Sequence, residues 1–229
     1  MLRGVAEQFN KQVNGDAKIN AILKKVRAGK ATQRDIATYA DLLGEHASHV
    51  LGRAVQFGAD SEDAYATIKA ILDSNYLSIN GQAILELRAE DKRKGLDIVI
   101  RQAENKRTDD FINTLKTIQT EAEFNNQINE ETKTISRQFY DDFQKTNAQL
   151  RDELGYDEIV IRVYDDVGLR NRTKPCQFCL ERQGEWEYRS AAAMGIFQRH
   201  EGCGCHITIS TPDWTRDQIN WKNNQWQDR

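Results

Sequence analysis

The sequence predicts a mainly α protein: an elongated helical body followed by a small α/β module. Three observations carry this. Apolar residues recur at spacings of three, four and seven through most of residues 18–155, and only 2 prolines and 14 glycines interrupt the 229 residues. Past Gly155 the spacing switches to alternation, and all four cysteines lie in the last quarter of the chain.

The elements follow in order. Residues 1–17 carry little periodic signal and contain Asn14–Gly15–Asp16, so they read as a loose arm. Ile19, Ile22, Leu23 and Val26 form a short apolar helical face that Gly29 closes. Thr32 and Asp35 have the spacing of a capping box for a helix through Ile36, Tyr39, Leu42 and Leu43, running on to Val55 before the break at Gly58–Ala59–Asp60. Asp60 or Ser61 caps a segment with Tyr65, Ile68 and Leu72 on its face, and a further helix is expected from near Tyr76 toward Ile98, weakened by Gly95.

The most regular pattern runs from Phe111 through Leu115, Ile118, Ile128, Ile135, Phe139 and Phe143 to Leu154, with Gly155 as C-cap. One unbroken helix there is roughly 65 Å long at 1.5 Å per residue. Asn125–Asn126 makes two helices an equal alternative. Helices this polar bury only a stripe, either against a second copy or capsid neighbour, as in a coiled coil, or in a monomeric bundle.

Beyond the helical region at 18–155, Ile159, Ile161 and Val163 alternate with Val160, Arg162 and Tyr164, as in a strand opening a module over 156–212. A basic loop with Arg170, Arg172 and Lys174 leads to CQFC at 176–179, and HEGCGCH follows at 200–206. Paired thiolates at this spacing converge on one borderline-soft ion, so a structural Zn2+ site is expected, ahead of disulfides or unligated thiols. The favoured ligands are Cys176, Cys179, Cys203 and Cys205; the tight C-x-C leaves open a version in which His200 replaces one late cysteine. His206 has the weakest claim, because side chains alternate once Ile207–Thr208–Ile209 begins a strand. Trp186, Tyr188, Met194, Ile196 and Phe197 supply apolar packing beside the metal, and 213–229 is a tail holding Trp214, Trp221 and Trp226, of which the first reads as core while Trp221 and Trp226 are either frayed or a partner contact.

Several function classes recede on these grounds. Net charge is −3 and the two signs are nearly balanced along the chain, unlike a strongly basic nucleic-acid domain. No apolar run approaches the roughly 20 residues that span a bilayer. Glu7 and Lys11 interrupt any signal-peptide core, so the chain is expected to remain where it is made. HExxH is absent, and although Pro175–Cys176 opens a PC-x2-C element, Leu51 stands two residues after His49 where a deaminase needs glutamate. Glu201 beside His200 offers a carboxylate base to a zinc hydrolase, and the cysteine-rich module with His200 leaves a zinc-stabilised HNH-like nuclease as the enzymatic alternative to a non-enzymatic role.

The strings CQFCLERQGEWEY and IFQRHEGCGCHITISTPDW resemble the C-terminal signature of the phage head morphogenesis (minor head protein) family, over roughly residues 150–212. On that resemblance Cys176, Cys179, His200, Cys203 and Cys205 occupy the characteristic places, and Gly184 and Arg199 match accompanying positions. Gly204 departs from it, standing where such proteins often carry a side chain. The resemblance implies a virion or capsid-associated protein, present in the host cytoplasm during assembly, that contacts the portal or major capsid protein. A DNA-binding module displaying Arg170, Arg172 and Lys174 to phosphates is the remaining alternative, compatible with a head protein that touches packaged DNA without specificity.

Overall fold

The computed structural model describes residues 2–58, 61–164, 176–200 and 203–212. Helices dominate: α1 (Leu2–Gly15), α2 (Ala17–Arg27), α3 (Gln33–Ala54), α4 (Ser61–Arg93), α5 (Arg107–Leu115), α6 (Glu121–Asn126) and α7 (Thr132–Glu153). After them come β1 (Ile159–Tyr164), a single turn α8 (Gln177–Leu180), β2 (Gly184–Glu187), α9 (Tyr188–Ala193) and β3 (Cys205–Ser210). The strands form an antiparallel sheet in the order β2–β1–β3. This is a helical body with a small α/β module, and among the described residues no helix is long and apolar enough to cross a membrane.

Local signals place several boundaries where the sequence puts them. Thr32 accepts from the Asp35 backbone while the Asp35 carboxylate takes the Thr32 N–H, so the capping box is complete. Gly155, at φ 84°, ends α7: its N–H reaches Asp152 O at 3.0 Å and that of Tyr156 reaches Arg151 O at 3.0 Å.

Elsewhere tertiary packing overrides the local reading. Residues 2–15 are a helix, not a loose arm, because Val5 and Phe9 are four apart and buried in the core. Asp16 then N-caps α2 through Lys18 N and Ile19 N and also bonds His46 Nε2 at 2.9 Å, making Asn14–Gly15–Asp16 a fixed joint. No break occurs near Tyr76. α4 runs through it, since buried Asn75 bonds Ser136 Oγ at 3.1 Å, and the helix stops at Arg93, leaving Ile98 outside. The expected Asp60 cap lies outside the described residues.

The long pattern after residue 107 breaks at 116–120, where Thr120 caps α6. Asn125–Asn126 does not end a helix but precedes a π turn, Gln127–Glu131, that joins α6 to α7. That turn lies against α3, with Ser48 Oγ donating to Asn129 O at 2.8 Å. The approach is close enough that a Cβ on Gly52 would meet Asn129 Oδ1 at 2.7 Å and one on Gly44 would meet Lys133 Cα at 3.0 Å.

The boundary at Gly155 separates secondary structures but not cores. Val160, Ala191, Ile196, Phe197, Ile207 and Ile209 share one apolar cluster with the helices, whereas Met194 is 46% exposed. β3 is an edge strand, and the Gln33 side chain of α3 bonds it as another strand would: Nε2 donates to Ile209 O at 2.7 Å and Ile209 N–H donates to Oε1 at 2.8 Å. Arg151 of α7 ties Asp91 of α4 to Thr211, and Thr211 donates to Glu158.

At two carboxyls near this junction the protonated form is favoured. Burial, helped by the neighbouring Glu90 carboxylate, pushes Glu86 up to about 8, and burial pushes Glu158 up to about 7. Between the ordinary glutamate value of 4.5 and these values the folded chain binds more protons than the unfolded one, so these groups make stability fall as pH rises through that window. Glu86→Gln is therefore expected to be more stable than wild type by about 1–3 kcal/mol at pH 8.5, the gain shrinking toward pH 4.5. Urea unfolding of both proteins across pH checks this, and a pH-independent difference contradicts it.

Candidate metal centre

The cysteines converge because two short elements and one strand end deliver them together. Cys176 N-caps α8, whose single turn returns Cys179 to the same side. Cys203 sits on a turn closed by its N–H to His200 O at 3.1 Å, and Cys205 begins β3 opposite Tyr164 of β1. Two donor groups result, Cys176–Cys179–His200 and Cys179–Cys203–Cys205, each with all donor atoms within 4.8 Å. Cys179 belongs to both. Its Sγ lies 3.1 Å from His200 Nε2 and 3.7 Å from Cys203 Sγ, and Cys176 Sγ is 3.1 Å from the same His200 nitrogen. Edges of a tetrahedron around an ion bound by thiolates at about 2.3 Å are about 3.8 Å, so the cluster can hold a metal ion with little adjustment. All five residues singled out in the sequence are brought together.

Cys179, Cys203 and Cys205 are buried, and Cys176 is half-buried. Phe178 covers the site edge-on to His200, with Arg182 stacked on its outer face at 3.8 Å. Of the next layer the sequence marked only Arg199, by resemblance and without a role; Arg162 and Asp141 were missed. Arg162, fully buried in β1, donates to the Ile196 and Gln198 carbonyls and through Nη2 to Cys203 Sγ at 3.5 Å. Arg199 donates to Cys205 O at 2.7 Å and Cys203 Sγ at 3.7 Å, while Nε and Nη2 grip both oxygens of Asp141 in α7. A Cys205 hydrogen bond, with Arg199 and Arg162 adding positive charge, lowers the Cys203 thiol to about 3, a thiolate poised to bind a cation. Burial raises Cys179 to about 11.

The strand faces are inverted relative to the apolar reading. Val160 and Arg162 point inward, and Val163 is 51% exposed. A strand reading of hydrophobicity cannot find Arg162, because its inward position is explained by the sulfurs it serves. His206 turns away from the cysteines, as alternation requires, but is not a surface residue. It is buried against Arg137, which also pairs with Asp41 of α3, and burial and that arginine lower its pKa to about 2. Its ring is neutral at physiological pH. Arg170, Arg172, Lys174, Glu201 and the three tail tryptophans lie outside the described residues.

Charge favours His200 as a ligand. A divalent ion on three thiolates and a neutral imidazole, together with Arg162, Arg199 and Asp141, sums to zero, whereas four thiolates leave a net buried negative charge. Two outcomes follow. Cys179→Ser, altering the residue common to both groups, is expected to abolish metal retention in elemental analysis, while Cys205→Ser retains one ion per chain. Asp141→Ala strands the Arg199 charge and is expected to cost about 3–5 kcal/mol in urea unfolding; a loss below 1 kcal/mol contradicts the role assigned to that pair. Searches against family models, curated proteins and solved structures find no match to this chain.

Proposed function

We propose that the chain is a non-enzymatic minor head protein of a tailed phage, in which structural zinc fixes a docking surface for the portal or major capsid protein. The observation that carries this reading is the closed cluster itself. More donors converge than a four-coordinate ion needs, and they sit under Phe178 with two buried arginines behind them. A structural zinc site has this form, while a catalytic one keeps a position for water or substrate. Cys176, Cys179, Cys203 and His200 are the ligands of choice, with the Cys205 thiol donating to Cys203. The resemblance of the C-x2-C and R-H-x2-C-x-C strings to the head morphogenesis family supplies the phage context.

In this reading metal binding is part of folding. The module shares its core with α3 and α7, so loss of the ion weakens the body as well as residues past 155. Quantitative mass spectrometry of procapsids and mature virions is the test. A fixed copy number for the wild-type chain, with Cys176→Ser and Cys203→Ser chains excluded, is expected. Absence from both particles, or normal incorporation of the serine variants, contradicts the role.

A further inference from the structure

Helical glycines in this chain fall into two kinds. Gly44 and Gly52 of α3 are required by the close passage of α7 and the π turn. Gly81 lies in the middle of the 33-residue α4, yet a Cβ there meets nothing within 4 Å among the described residues. Glycine is among the least favourable helix residues, second only to proline, so nothing among the described residues rationalises it. The other open helical glycines, Gly4 and Gly15, are in the terminal turns of α1.

Gly81 is flanked four residues away on each side by leucines facing solvent, Leu77 at 63% and Leu85 at 48% exposure. Ala66, Ala70 and Ser74 continue the same face toward the N-terminus, and Arg88 and Lys92 continue it toward the C-terminus. From Asp63 onward the spacing is three, four, four, repeated, an eleven-residue period that stays on one side of a nearly straight helix. Its first turn is acidic, with Glu62 and Asp63, and its last turn is basic, with Lys92 and Arg93.

We infer that α4 is the self-association surface of this protein, taking as its occupant the α4 of a second copy in antiparallel orientation. A two-fold axis between Leu77 and Ser78 sets Leu85 over the partner's Ala70 and Gly81 against the partner's Ser74. The same axis places Lys92 beside the partner's Asp63. Leu85 then meets a small residue, the two Leu77 side chains meet at the axis, the glycine sits where two backbones approach, and each acidic end meets a basic end with opposed helix dipoles. Every contact off the axis occurs twice, as an isologous interface demands. The inference is independent of the phage reading, since it uses only this helix and its charges.

Sedimentation equilibrium of the full chain tests it. Wild type is expected to dimerise in the micromolar range, and Leu85→Glu to weaken the dimer at least tenfold with unchanged circular dichroism. Asp63→Lys and Lys92→Asp are each expected to weaken it, and the double exchange to recover it to within about threefold. A wild-type monomer up to about 100 µM overturns the proposal. So does a dimer indifferent to Leu85→Glu or not rescued by the double exchange. If the monomer also shows a tryptophan emission shift in Leu85→Glu, the occupant is the chain's own tail at 213–229, and the proposal fails in that specific way.

Discussion

The bidentate pair between Arg199 and Asp141, each side chain 1% exposed, is the constraint on which the rest of the structure depends. It is the point where the sulfur cluster and the helical body share one side chain. Arg199 reaches back to Cys203 Sγ and Cys205 O and forward to α7. A buried guanidinium is tolerated only while its partners are in place, so the turn that presents His200 and Cys203 stays in register with the helix that carries Asp141. Arg137 and Arg151 repeat the device one turn and more away along α7, the first joining Asp41 and His206, the second Asp91 and Thr211. Three arginines thus connect the sheet module to α3, α4 and α7 through ionic and hydrogen-bonded contacts, and the apolar cluster fills the space between them. Such pairs contribute little net stability compared with apolar packing, but they penalise every misdocked arrangement that leaves one of their charges alone.

What could be read in the sequence was what local chemistry decides. The Thr32–Asp35 box, the glycine cap at 155, the first strand and the five-donor cluster each depend on residues close together in the chain or on a rare residue type. The misread elements depend on distant partners. Val5 and Phe9 mark a helix only once other helices are there to cover them, and Asn75 continues α4 because Ser136 waits for it. Asn125 and Asn126 look like a break, yet the extra residue is absorbed as a π turn that meets α3. Arg162 is the clearest case. Its pattern says solvent, while its three acceptors come from Ile196, Gln198 and Cys203, all more than 30 residues away.

The same structure divides surfaces by the demands on them. α3 and α7 spend their faces on each other and on the sheet, with Gly44 and Gly52 of α3 where Lys133 and Asn129 come close. α4 contributes Ile68, Leu72, Ile79 and Leu87 to that core on one side and keeps leucines on the other. The cysteine–histidine cluster lies in the module, and Arg199 joins it to the body through Asp141. A protein built this way can present two surfaces, one set by the cluster and one by α4, held in fixed relation by one core.

The most direct test of that coupling is hydrogen–deuterium exchange of the metal-bound chain before and after chelation. If cluster, module and helices form one unit, chelation reduces protection in β3 and also in α7 around Asp141 and in α3 around Asp41. If the loss is confined to residues 176–210 while α3 and α7 keep their protection, the module is energetically separate, and the account of the Arg199–Asp141 pair as the joint between them is wrong.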